Sequence, residues 1–157
     1  MVLIDGKSSV PWLVVALIGG FLVVHIESKG FTEEQKEEFV KVMKECAAES
    51  KIPEAEFEAM TSERKPPVSK EGECFVKCIM EKNDVIANNE VNKVGVAATL
   101  EEMIEDKPKL AKAKEILEEC TKSVEPLAKG DSCEFAAKFG GCVHSKLKDS
   151  GIIGPKF

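Results

Sequence analysis

The chain contains no tyrosine, a single tryptophan at Trp12 and only 6% aromatic residues. Its two histidines are His25 and His144, which leaves little for hydrolytic chemistry that pairs an imidazole with an acid or a nucleophile. No apolar run reaches the roughly 20 residues that a membrane-spanning helix needs. No Cys-x-x-Cys pair occurs. N-glycosylation is not expected, because Asn83, Asn88, Asn89 and Asn92 are followed at the second position by Val or Glu rather than Ser or Thr. Positive charge is also short, with 22 Lys and Arg against 28 Asp and Glu and a net charge of −6. Phosphate backbones have no general electrostatic reason to bind such a chain, so no nucleic-acid partner is expected.

What is present points to one globular domain. The 157 residues are 43% hydrophobic and 32% charged, too apolar for a disordered polyelectrolyte and long enough for a single core. Leu13 to Val24 reads LVVALIGGFLVV, all apolar or glycine, with Lys7 before it and the polar stretch His25 to Gly30 after it. This pattern predicts a secretory signal peptide over residues 1–30, with Ser28 and Gly30 meeting the small-residue cleavage rule and Phe31 first in the mature chain. Asp5 is atypical of such a leader. Its removal takes away Lys7 and Lys29 with Asp5 and Glu27, so the mature charge stays at −6.

All six cysteines fall in the remaining segment, 31–157. An even count in a small exported chain argues for three disulfides, formed in an oxidising compartment. Zinc is the rival use of cysteine, but the only close pair is Cys74 and Cys78, and His144 is the one mature histidine. Neither a metal nor a cofactor is expected.

Helical signals dominate this segment. Thr32 and Gln35 form a capping box ahead of Phe39, Val42, Met43, Cys46 and Ala47, whose three- and four-residue spacing predicts an amphipathic helix ending near Ser50. Pro53 suits the first turn of a short second helix carrying Phe57 and Met60, and Arg64 to Val68 reads as a loop. A third helix is predicted over Lys70–Lys82, ended by Asn83 in the left-handed conformation. Asn88-Asn89-Glu90 reads as a turn before a fourth helix from about Val91 to Glu105. Pro108 opens a fifth, and Asp131-Ser132-Cys133-Glu134 caps a sixth that runs to about Ser145. No stretch alternates in polarity, so the fold class is all-α. Cys74 and Cys78 lie about 40° apart on one helical face, and Cys133 and Cys142 about half a revolution apart. Within each pair, both cysteines therefore need separate partners, although six cysteines allow fifteen pairings.

The spacing C-x27-C-x3-C-x41-C-x12-C-x8-C resembles the six-cysteine signature of insect odorant-binding proteins, the pheromone-binding and general odorant-binding family. Glu81-Lys82 after the third cysteine, and Asp131 and Glu134 around the fifth, support the likeness. Asn83-Asp84, where the family often has glycine, and the lack of tyrosine depart from it. The resemblance implies a compact six-helix, disulfide-stapled bundle enclosing an apolar ligand cavity, with bonds Cys46–Cys78, Cys74–Cys133 and Cys120–Cys142. Matching distances from the cysteines places Phe39, Met60, Val76, Met80, Val85, Leu100, Leu117, Phe139 and Val143 on the pocket wall, and helical face adds Met43, Met103 and Phe135. Thr61 and Thr99 are the candidate polar anchors. Residues 145–157, with Ile152, Ile153 and Phe157, would form a flexible C-terminal tail or lid. His144 stands next to a pocket position and is the candidate pH switch, as the mature side chain that ordinarily titrates near 6.5.

The function so implied is that of a secreted, non-enzymatic carrier. It would bind odorants or pheromones, small hydrophobic volatile or lipid-like molecules, and transport them through aqueous sensillum lymph to olfactory receptors or a membrane surface. Family members are monomers or weak homodimers. The alternative on the same scaffold is a non-olfactory secreted carrier or protein-interaction module of reproductive, salivary or other body fluid. A phospholipase A2-like enzyme would need a CCxxH element that this chain lacks.

Overall fold

The computed structural model describes residues 33–152, the side chain of Gln35 excepted. The expected leader 1–30, Thr32 and the Gln35 side chain of the expected capping box, and residues 153–157 lie outside the described residues. Within them the order is α1 (Glu33–Ser50), α2 (Glu54–Ser62), α3 (Lys70–Lys82), a hairpin of β1 (Ile86–Ala87) and β2 (Glu90–Val91), α4 (Lys93–Met103), α5 (Lys107–Val124), a 3-10 turn (Glu125–Leu127) and α6 (Ser132–Asp149).

Local chemistry explains the boundaries. Helix α1 gives way to Lys51 at φ 57°, which turns the chain so that Ile52 is buried. Pro53 stands at the N-cap of α2, one position before the expected first turn, and its carbonyl accepts from the Glu56 and Phe57 amides at 3.0 and 2.9 Å. Ser69 caps α3 by accepting from the Gly72 amide at 3.0 Å. Asn83 does not take the left-handed conformation. Its side-chain amide donates to the Ile79 carbonyl at 2.7 Å and it stays at φ −102°, so Asp84 turns the chain instead at φ 54°. The Val85 amide then bonds the Met80 carbonyl and the Asp84 amide that of Glu81, at 2.8 and 3.1 Å, a Schellman ending with aspartate in the place usually held by glycine.

Asn88 and Asn89, at φ 51° and 59°, supply the two positive-φ residues of a tight hairpin turn, with Ile86 opposite Val91 and Ala87 opposite Glu90. The sequence shows the turn but not these two-residue strands. Asn92 then caps α4 through the Gly95 amide at 3.0 Å, making that helix shorter at both ends than its periodicity predicts. Asp106 and Asp131 cap α5 and α6. Helix α6 outruns Ser145 by four residues. It ends in a second Schellman turn, with Gly151 at φ 68° and the Ile152 amide bonded to the Leu147 carbonyl at 3.0 Å. Residues 145–149 are thus the end of the helix rather than tail, and Ile152 packs on the core.

Two apolar clusters result. The larger gathers Ile86, Ile116, Leu117, Val124, Phe135, Ala136 and Phe139 between α3, α5, α6 and the hairpin. The smaller joins α1, α2 and α3 through Cys46, Ile52 and Phe75, with the Phe57 and Phe75 rings edge to face at 5.5 Å. Disulfides Cys46–Cys78, Cys74–Cys133 and Cys120–Cys142 tie α1 to α3, α3 to α6 and α5 to α6. Loop closure makes each worth roughly 3–4 kcal/mol, less in sum because the loops overlap.

Candidate functional site

An apolar, half-enclosed cavity of about 270 Å³ opens between α3 and the turn after it, α4, α5 and α6. Met80 comes from the last turn of α3, Val85 from the turn that follows it, Val96 and Leu100 from α4, Ala113 and Leu117 from α5, and Phe139, Gly140, Val143, His144 and Leu147 from α6. Helices α4, α5 and α6 each contribute residues four apart, which share a face and rise one above the other along the wall. Ala113, Leu117 and Phe139 are buried and form the interior, whereas His144 is exposed and marks the rim. Two of the three disulfides hold α6, the helix that supplies most of the wall.

Of the residues expected on the wall, Met80, Val85, Leu100, Leu117, Phe139 and Val143 meet in this cavity. The other six stand elsewhere. Phe39 is 42% exposed on α1, because among the described residues no element packs on the outer half of that helix. Met43 and Met60 pack in the smaller cluster around Phe75, on the side of α3 turned away from the cavity. Val76 and Phe135 lie one turn before Met80 and Phe139, where the helices are in direct contact. There Val76 packs against the core and Phe135 is 2% exposed within it. Met103, in the last turn of α4, is half-buried outside the lining. Thr61 and Thr99 turn their hydroxyls to the Phe57 and Gly95 carbonyls of their own helices, at 2.8 and 3.1 Å, and neither reaches the wall.

Val96, Ala113, Gly140 and Leu147 also line the cavity, beyond the positions that the resemblance implies. Val96, Ala113 and Leu147 lie one helical turn from Leu100, Leu117 and Val143, so extending those positions by four residues finds them. Gly140 adjoins Phe139 and presents no side chain to recognise. A Cβ there would stand 2.5 Å from the Met80 terminal methyl, so glycine lets α3 and α6 close at the cavity wall.

Charged groups stand apart from this surface. Lys82 is held above its ordinary range by hydrogen bonds with Glu49 and Glu45, at 2.8 and 3.0 Å, beside the Cys46–Cys78 bond. Lys146 lowers Glu119 by hydrogen bonding to it at 2.8 Å, joining α5 to α6. His144 is the one ionisable residue of the lining. Among the described residues no three of His, Cys, Asp and Glu converge as a metal site, and no helix is long and apolar enough to cross a membrane.

Known proteins share this fold. The fatty acid binding protein OBP56a from the oral disk of the blowfly Phormia regina superposes with a TM-score of 0.61 at 22% identity, over 76% of this chain and 97% of its own. The odorant-binding protein dmelOBP28a from Drosophila melanogaster gives 0.59 at 22% identity, over 76% and 98%. At that identity the likeness speaks to the fold. No curated protein matches the chain. Residues 28–146 match the model of the PBP/GOBP family, and with six cysteines in three bonds across an all-helical bundle, the chain belongs to that family.

Proposed function

We propose that this protein is a secreted, non-enzymatic carrier that takes small hydrophobic molecules into the cavity on α6 and transports them through aqueous lymph to olfactory receptors. The observation that carries this reading is the cavity itself, about 270 Å³ walled by apolar side chains. At the roughly 30 Å³ that one water occupies in the liquid, it has room for on the order of ten non-hydrogen atoms. Micromolar affinity, about −8 kcal/mol, would then ask about 0.8 kcal/mol per atom, inside the ceiling for small ligands. Medium-chain alcohols, aldehydes and esters fit this size, and longer chains would leave through the open side. Three disulfides favour an oxidising, extracellular setting.

A second reading, a non-olfactory carrier in another body fluid, is favoured by one comparison: the blowfly neighbour comes from the oral disk and is named for fatty acids. Displacement of a fluorescent apolar probe from delipidated, oxidised protein tests both. Micromolar displacement by volatile-sized alcohols, aldehydes or esters supports the olfactory carrier, and preference for fatty acids supports the second. No probe uptake by correctly bonded protein would reject a carrier role. An extrinsic probe is required because the described residues contain no tryptophan or tyrosine.

A further inference from the structure

The cavity wall is chemically one-sided. Its buried interior, Ala113, Leu117 and Phe139, offers no hydrogen-bonding side chain, and the helical backbone behind it is already paired. A ligand oxygen placed there would lose its water without replacement, at a penalty that would cancel much of the gain from apolar burial. His144, at the rim, is the one lining residue with a strong hydrogen-bonding group. The side-chain bonds of this stretch of α6 are made by Cys142, Lys146 and Ser150, which leaves both His144 ring nitrogens available among the described residues. Gly140 lies one turn before His144 on the same face, about 6 Å along the helix, with no side chain to block the path between rim and interior.

We propose that His144 sets the orientation and class of the ligand: an apolar body carrying one terminal hydroxyl or carbonyl oxygen, with that oxygen on the imidazole and the body lying over Gly140 toward Phe139 and Leu117. This inference rests on the carrier reading above. A neutral imidazole offers a donor and an acceptor, so one residue serves both oxygen types. Hydrocarbons would still enter, but with no fixed direction and no contribution from His144.

The test compares phenylethyl alcohol with propylbenzene, which match in number of non-hydrogen atoms, by displacement of a fluorescent apolar probe at fixed neutral pH. His144 is exposed, so substitutions there leave the core intact. In His144→Leu the alcohol is expected to weaken about three- to tenfold, the range of one net hydrogen bond, while propylbenzene changes by less than about twofold. His144→Gln, which keeps a donor and an acceptor, is expected to hold the alcohol within about twofold of the original protein. Equal effects of His144→Leu on both compounds would overturn the proposal and leave the carrier reading standing. The same follows if His144→Gln loses the alcohol as His144→Leu does. Failure of the unsubstituted protein to take up the probe would overturn the carrier reading and the proposal together, whereas uptake of the probe without displacement by the alcohol would overturn the proposal alone.

Discussion

Replacing Gly140 by alanine should change the size of the ligand accepted while hardly changing stability. A Cβ at this position would lie 2.5 Å from the Met80 Cε and 3.6 Å from a Val76 Cγ1. Carbon atoms in contact rest about 3.5–4.0 Å apart, so Val76 can stay while the Met80 methyl must retreat by at least about 1 Å. Methionine can do this, being unbranched with three rotatable bonds. Both residues line the cavity, so the added methyl and the displaced thioether draw on the same 270 Å³. One methyl, at about the 30 Å³ share of a liquid water, is about a tenth of that space. A ligand that fills the cavity then loses about one methylene of burial, ~0.8 kcal/mol or about fourfold in Kd. Stability should move little, because a methionine pushed off its rotamer costs about 0.5–1.5 kcal/mol and alanine over glycine inside α6 offsets about 1 kcal/mol. Probe displacement by a homologous series of alcohols, with thermal unfolding followed by circular dichroism, should show the preferred chain shortened by about one methylene at nearly unchanged Tm. Adding Met80→Ala should restore the longer ligands, a coupling that a double-mutant cycle measures. An unshifted length preference in a stable Gly140→Ala protein would refute the reasoning, as would a shift that Met80→Ala does not relieve.

Two further outcomes follow from the bonds that hold the frame. Removing Cys120–Cys142 as a double alanine variant releases a cross-link with a sequence separation of 22, worth roughly 3 kcal/mol. It should lower the urea midpoint and, since the bond joins α5 to α6 beside Leu117 and Val143, also weaken ligand binding; intact affinity in the folded variant would show that the helices keep the cavity without it. Glu56 is pushed upward by burial, but hydrogen bonds from the Ser69 hydroxyl at 2.5 Å and the Val68 and Ser69 amides at 2.8 and 3.0 Å outweigh this and hold it below the usual carboxylate range. A folded value depressed in this way stabilises above the unfolded value and the contribution disappears as pH falls through the folded one. Glu56→Gln should thus lower stability at neutral pH and flatten the loss of stability as pH falls through the ordinary carboxylate range, and an unchanged acid-unfolding curve would count against this role.

Much of the helical frame was legible because its signals are local. Asp131 caps α6 as its sequence signature indicates, and Lys70–Lys82 runs as its periodicity indicates, while Ser69 and Asp106 cap α3 and α5 by the same local chemistry although neither is among the caps expected from the sequence. Errors fall where competing local solutions exist. Asn83 and Asp84 both tolerate the left-handed conformation, and the choice between them turned on whether the Asn83 amide could reach Ile79. Helix α6 runs on past Ser145 because Ser145 to Asp149 carries no breaker, and its stop signal, Gly151, comes later.

By itself, the sequence determined the fold class, the capped helices and, through cysteine spacing, the family to which the chain belongs. Caps and spacing act over a few residues, so chain order alone contains them. Only the tertiary structure decided which apolar faces meet. Met43, Met60 and Met80 all lie on inward stripes, yet the first two pack with Phe75 and only Met80 borders the cavity. Helical periodicity says that a face is buried, and the partner on the other side of it is set by how distant helices fill space together.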